Sequence, residues 1–407
     1  MSRSRWAWVA LATAVLAAAG CRCGKSLPGE VGKAAAALDA IPADVDALVV
    51  FDAEGLRRGS LGDLVYRPWV VRAFREWGGA PCESLAVSAV RSAALGVRLP
   101  RGGAGGSRRF FLTAEGPTID AVRACLDAHG AREGLASSFE EIAGGRGITD
   151  GRGFHALASG PNVVTIAFPF NRVDVLAEAV PVAFGRKPSV SSAGTFREIL
   201  DRAGGDMVVT FSETRDLFRE YGTGMRDRVA AAFPADMCAS AADVRSYVQA
   251  ARLVGFGDLA GTAAAIDAWF GGMERICAAD AVRAVFDAAG ALRAGALGVS
   301  GRDDIVLSLV LVFADERVAG LLRGVFADAV HVVGAAPARL DLLERLPLVA
   351  GKVDLSSARA ILRNPVLKHL SVGGDGVVFE FGIRIEAADA RASVESLQKF
   401  AQGFVAR

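Results

Sequence analysis

Short apolar runs, bounded by glycine, proline or acidic residues, alternate along the chain with stretches of helical period. Ile41-Pro-Ala-Asp-Val-Asp46 leads into Ala47-Leu-Val-Val-Phe51, which reads as a buried strand closed by Asp52. Further strands are predicted over Leu85–Leu99, Arg109–Thr113, Phe139–Ile142, Gly153–Leu157 and Val163–Phe168. Later ones fall at Asp206–Phe211, Val244–Phe256, Asp304–Phe313 and, after a hairpin at Gly373–Gly376, Val377–Ile385. Helical spacing predicts Leu61–Trp77 with a bend at Pro68, and Ile119–Ala128 with Thr118 as cap and Gly130 as stop. Val173–Val180, Glu316–Val330, a stretch from Pro337 to Leu346, Ser356–Leu370 and Ala388–Phe404 follow. Helices and strands mix without a steady βαβ rhythm, so the expected fold class is α+β with mainly antiparallel sheets flanked by helices.

The pattern then repeats. Asp206-Met-Val-Val-Thr-Phe211 mirrors Asp46-Ala-Leu-Val-Val-Phe51, Cys238 opens a strand-rich run as Cys82 does, and Arg275-Ile-Cys277 answers Arg123-Ala-Cys125. These matches predict two related modules from a diverged tandem duplication. The modules would cover 41–190 and 191–407, with the seam at Lys187–Ser192.

Arg3 and Arg5 precede an uncharged Ala/Val/Leu-rich segment, Trp6–Ala19. It falls short of the ~20 apolar residues a spanning helix needs, so it reads as a signal peptide over 1–20. The run Ala18-Ala19-Gly20-Cys21, with Leu16 upstream, resembles the lipobox of bacterial lipoproteins, although Ala18 stands where leucine is usual. That resemblance implies cleavage after Gly20, a diacylglyceryl thioether on Cys21 and a lipidated tether over 21–40. Two or three acyl chains hold a protein at a membrane, whereas one binds with only about 10⁴ M⁻¹. Arg22 follows Cys21 with no aspartate, which in that family favours the outer membrane. The alternative is ordinary cleavage after Ala17-Ala-Ala19, giving a soluble periplasmic protein.

Charge narrows the function classes. A net charge of +1 leaves no basic field to draw nucleic acid. Scarce aromatics (7 %) and interleaved helices argue against an outer-membrane barrel. Export places the body cysteines in an oxidising compartment. Four cysteines allow three pairings, and the repeat selects Cys82 with Cys125 and Cys238 with Cys277. Each bridge would stabilise its module by about 4 kcal/mol in the chain-entropy account. Cys23 is left over beside the membrane.

Chemistry is harder to find. Gly24-Lys25-Ser26 lacks the spacing of a phosphate loop, and Gly102–Gly106 and Gly144–Gly147 read as hairpin connections. His129, His155, His331 and His369 form no HExxH or HxH pair, and the body holds no paired CxxC, so no metal or cofactor is expected. Gly298-Val-Ser-Gly301 lacks the spacing of a nucleophile elbow and reads as a turn. Glu140-Glu141 and Asp303-Asp304 read as solvated strand ends.

The Ile-Pro-Ala-Asp opening and the cysteine spacing resemble tandem-module envelope lipoproteins of GC-rich Gram-negative bacteria, a group without an assigned activity. The resemblance transfers no catalytic residues. The expectation is a lipid-anchored protein of the cell envelope that binds or scaffolds an envelope protein, a cell-wall component or a lipid. An envelope hydrolase with a buried, converging acid/base pair is one rival. A lipid- or lipoprotein-handling module with an apolar cavity along the sheet is the other.

Overall fold

The computed structural model describes residues 35–99, 109–131, 134, 136–142, 145–149, 155–168, 173–193, 196–212, 246, 260–277, 291–301, 303–345 and 367–392. Cys21, Cys23, Cys238 and the Val244–Phe256 run apart from Ser246 lie outside them. The chain begins with α1 (Ala35–Leu38) and β1 (Ala47–Asp52). Asp52 then caps α2 (Ala53–Arg58), its carboxylate accepting the Gly55 N–H at 2.9 Å. Next come π-helical turns (Gly62–Val71), α3 (Arg72–Ser84), a second π-helical stretch (Leu85–Ala89), β2 (Ser92–Arg98), β3 (Arg109–Glu115) and α4 (Ile119–Ala131). Strands β4 (Ser138–Ile142), β5 (Gly145–Thr149), β6 (His155–Gly160) and β7 (Val163–Phe168) follow. Three helices come after them, α5 (Val173–Ala183), α6 (Val190–Ala193) and α7 (Arg197–Ala203). The remainder holds β8 (Met207–Ser212), α8 (Ala260–Cys277), β9 (Leu292–Ser300), β10 (Ile305–Phe313), α9 (Glu316–Arg345), β11 (Leu370–Gly373) and β12 (Val378–Ile385).

All twelve strands join one antiparallel sheet in the order β11-β12-β10-β9-β8-β1-β2-β3-β7-β6-β5-β4. The fold class is α+β, and a single sheet runs through both halves of the chain. Five strands lie on the β8 side of the β1–β8 pair and seven on the β1 side, and the central residues of that pair, Val49 and Val209, face each other. From that axis β2, β3, β7, β6, β5 and β4 follow one way, and β9, β10, β12 and β11 the other, so the first five strands on each side follow a like order and β5 and β4 are extra. Backbone bonds repeat across it: Asp206 C=O accepts from Asp52 N–H (2.6 Å) and Asp46 C=O from Ser212 N–H (2.9 Å). Asp46 Oδ2 also accepts from Leu99 N–H (2.7 Å), as Asp206 Oδ2 does from Gly301 N–H (2.9 Å).

The two faces of the sheet are built differently. On the first, Leu48, Val50, Phe111 and Val208 pack under α1, α5, α6 and α7 through Ile41, Val180, Phe196 and Leu200. Its central register includes Thr165, Thr113, Ala94, Val50, Val208, Gly298 and Ser308, a row of small and polar residues. Helix α7 therefore comes close. The Ser308 hydroxyl donates to Ala203 C=O (2.7 Å), and a Cβ on Gly298 would lie 2.2 Å from Gly204 C=O.

Several local expectations change. Leu85–Ala89 is helical, and only Ser92–Arg98 is strand, because Leu85 is buried against the Cys82–Cys125 pair. Gly298–Ser300 lies inside β9, where a turn was expected, because the glycine admits α7. Pro68 sits within the π-helical turns. Helix α9 runs through Pro337, which has no N–H to offer Val333; beside that gap, Trp269 donates its Nε1–H to Val332 C=O (2.8 Å). Leu370, expected to end a helix, starts β11.

Candidate functional site

Alternation along each strand sends every second side chain to the sheet's second face. From the axis outward in one direction, its central register reads Val49, Leu95, Leu112, Ile166, Ala156, Ile148 and Phe139. In the other it reads Val209, Leu297, Leu309, Phe381 and Val372. Every one of the twelve strands contributes an apolar residue. The flanking registers keep to the rule near the axis, with Phe51, Ala93, Met207 and Val299 above and Ala47, Val97, Phe110 and Phe211 below.

Helices cover the two ends of this face and one edge. Helix α4 packs Ile119, Val122 and Leu126 on Ile148, Ala156 and Val164. Helix α9 packs Ala319, Leu322 and Phe326 on Phe313, Phe379 and Phe381. Leu56, Leu61 and Leu64 cover Met207, Val299 and Leu307. Between these walls Val49, Leu95, Val97, Phe110, Leu112 and Val209 stay half-buried, whereas Leu48, Thr113 and Phe111 on the opposite face are sealed at 0 %. The result is a half-buried apolar groove over β3, β2, β1 and β8, bounded on the β9 side by the buried Leu297 (7 % exposed). Among the described residues one helix, over Glu316–Leu342, is long and apolar enough by length and composition to cross a bilayer; here its first half packs on the sheet.

The wall beside β2 is stapled. Cys82 on α3 and Cys125 on α4 form a buried disulfide with Cα atoms 4.6 Å apart. Gly78 makes room for it, since a Cβ there would lie 2.0 Å from Cys82 Sγ, and the kink at Gly78–Gly79 turns Cys82 inward. His129 stacks on Trp77 with centroids 4.2 Å apart and bonds its backbone carbonyl through Nδ1 (2.9 Å). Cys277 ends α8, the helix before β9, whereas Cys125 lies on the helix after β3.

Two acids converge out of solvent. Asp52 and Asp206 are 7 % and 2 % exposed, and a Cβ on Gly55 would lie 2.7 Å from an oxygen of each. Their bonds are structural: Asp52 caps α2, and Asp206 accepts from Gly301 N–H and from the Ser300 hydroxyl (3.3 Å). Of the histidines, His369 pairs with Glu386 at 2.9 Å, and His331 is exposed. Among the described residues no group of three His, Cys, Asp or Glu is placed to hold a metal ion.

The perturbed carboxylates also hold structure. Asp304 is pulled below its ordinary range by the Arg384 guanidinium and by the Ala387 N–H, against the opposing effect of burial. Arg275 of α8 does the same to Asp328 of α9 through two 3.0 Å bonds. Burial pushes the Tyr66 hydroxyl up, partly offset by Arg57. Sequence reasoning singled out the cysteines and expected an apolar patch or groove on the sheets of a binding protein, but it named none of the residues that line one. The signal was present in the apolar residues of each strand, but only pairing puts them in one row.

No protein-family model matches the chain, and no curated protein matches it. Among solved structures, crystal forms I, III and IV of TP0453 align over 88 % of this chain and 96 to 97 % of their own. Their identities are 10, 10 and 12 %, with TM-scores of 0.38, 0.39 and 0.39. Scores of that size establish no shared fold.

Proposed function

We propose that the chain is a lipid-anchored protein of the cell envelope that binds an envelope component through the apolar groove. The observation that carries the binding reading is the unbroken apolar register from Phe139 to Val372, half-buried at its centre. Exposed apolar surface is costly in water, and a contiguous patch marks an interaction site more often than not. The lipobox-like Ala18–Cys21 supports the anchor, and its Arg22 the outer membrane. The like order of the first five strands on each side of the axis and the repeated Asp46 and Asp206 bonds support a tandem duplication, with β4 and β5 additional in the first half. Binding suits the groove better than hydrolysis does, because the converging Asp52 and Asp206 tie strand ends and caps.

The test is crosslinking and pull-down of the native chain from envelope membranes. Recovery of an envelope component, lost when Leu112 is changed to Arg in a chain that still folds, is the expected result. Turnover of a generic ester or glycan with no bound component would replace the reading. Labelled palmitate entering wild type but not Cys21→Ala checks the anchor separately.

A further inference from the structure

We propose that the corner of the body where the tether enters lies on an anionic bilayer surface, a reading that rests on the proposed lipid anchor. Three segments come together around Pro42–Asp44, shortly after α1. The loop from Phe184 to Pro188 joins through Ala43 N–H, which donates to Pro188 C=O (3.2 Å), and through the bridge between Pro42 and Ser189. The β2–β3 connection joins through Arg98, whose guanidinium pairs with Asp44. The tether over 21–34 leads into α1 itself. Each segment carries a surplus of cations. The tether has Arg22, Lys25 and Lys33 against Glu30. The connection has Arg101 and Arg108 with no acid, and the loop has Arg186 and Lys187 with none. The whole chain carries only +1, so the surplus is local to this corner.

The acids of this corner are already engaged. Asp44 pairs with Arg98, Glu178 bridges Arg98 and Arg109, and Asp39 accepts from the Ser191 hydroxyl. Arg186 and Lys187 are exposed, and neither pairs with a described carboxylate. Their backbone is fixed, so docking orders little that is not ordered already. Arg186 N–H and Lys187 N–H both donate to Pro181 C=O (2.6 and 3.0 Å), and Gly185, at φ +69°, donates to Val182 C=O (2.9 Å). Beside them Phe184 is among the exposed large apolar side chains, with the Arg186 guanidinium 5.9 Å from its ring centroid. An apolar ring next to cations suits the headgroup boundary of a bilayer. An acidic protein would meet the same charges, and the tether decides between the two. Its fourteen residues reach at most about 48 Å, so a chain held at Cys21 keeps this corner close to the headgroups.

The experiment takes the wild-type chain as extracted from membranes and adds it to preformed vesicles, either phosphatidylcholine alone or phosphatidylethanolamine with phosphatidylglycerol. The vesicles are floated, and surface amines are labelled with a membrane-impermeant reagent. Lys187 reports the corner, and the exposed Lys368 just before β11 is the control. One cation at an anionic surface is worth about fivefold in binding, and two about thirtyfold. The expected result is flotation with both vesicle types, with labelling of Lys187 reduced about thirtyfold on the anionic one only and Lys368 unchanged. Arg186→Gln should shrink that protection to about sixfold, and 1 M salt should abolish it. Flotation with both types and equal labelling of Lys187 overturns the surface and leaves the anchor standing. Flotation with the anionic vesicles alone, Lys187 protected, removes the anchor and leaves the surface. Flotation with neither, or with the anionic type alone and Lys187 fully labelled, sinks both. Protection of Lys187 on both types, equal protection of Lys368, or full protection in Arg186→Gln overturns the anionic-surface assignment. Protection seen only in native membranes gives the corner to a protein partner and overturns it too.

Discussion

One sheet presents two faces of opposite construction. The first is closed by four short helices, with Leu48 and Phe111 fully buried, and it places threonine, serine and glycine in its central row. The second carries a purely apolar central row and leaves the middle of it half-buried. A face that seals itself can hold hydroxyls, because neighbouring groups satisfy them: Thr113 bonds Thr165 at 3.2 Å, and Ser308 bonds Ala203 C=O. A face kept apolar but unsealed gains little for the protein alone. The contrast puts the sealed core on one side and leaves the half-buried apolar residues on the other.

The sharpest way to break this contrast is a matched pair of truncations measured by urea unfolding. Phe111→Ala or Leu48→Ala should cost about 3–5 kcal/mol, while Val49→Ala, one residue along the same strand as Leu48, should cost about 1 kcal/mol. Equal losses would mean that both faces are core. Reducing the Cys82–Cys125 disulfide should cost about 2–4 kcal/mol and loosen the wall made by α3 and α4. Thiol labelling of the native and reduced chain, with hydrogen exchange on α4, reads this directly. Gly298→Ala puts a Cβ against the Gly204 carbonyl and should cost about 1–3 kcal/mol through overpacking, visible as a lower urea midpoint with an unchanged slope.

The smallest effect comes from acid. Asp304 and Asp328 sit below their ordinary range in the folded chain because of Arg384 and Arg275. A carboxyl depressed on folding stabilises above its unfolded value, about 3.9, and that contribution is lost as pH falls through the folded value. Their share of stability should therefore be constant near neutrality, begin to fall as pH nears about 4 and be gone only below the folded values, with a total of about 1 kcal/mol or less for pairs this exposed. Asp304→Asn should flatten that acid limb and leave the neutral midpoint nearly unchanged.

Much of the architecture was legible in local pattern. The strands at Ala47, Asp206, Asp304 and Val378 stand close to where alternation and bounding residues put them, and the Gly373–Gly376 turn joins β11 to β12. The Cys82–Cys125 bridge forms as the repeat selected. Cys277 ends α8, and its expected partner Cys238 lies outside the described residues. Pro337 misled because α9 runs on through it, packed against α8, where Trp269 bonds the neighbouring Val332 carbonyl, a tertiary contact that no local rule foresees.

The sequence by itself determined many of the strands and helices and where a leader resembling a lipid anchor lies, since each depends on neighbours within a few residues, but it missed β5, β9 and β11, whose pairing partners are what make them strands. It could not determine which face of Ala47-Leu-Val-Val-Phe51 meets the core, because both faces of that strand are apolar. Tertiary structure decided this through register. Pairing β1 with β8 and β2 aligned Val49 with Val209 and Leu95, put the hydroxyls of distant strands together on the opposite side, and left hydrocarbon alone in the groove. Alternation is a local property, but a row across twelve strands exists only once the strands have found one another.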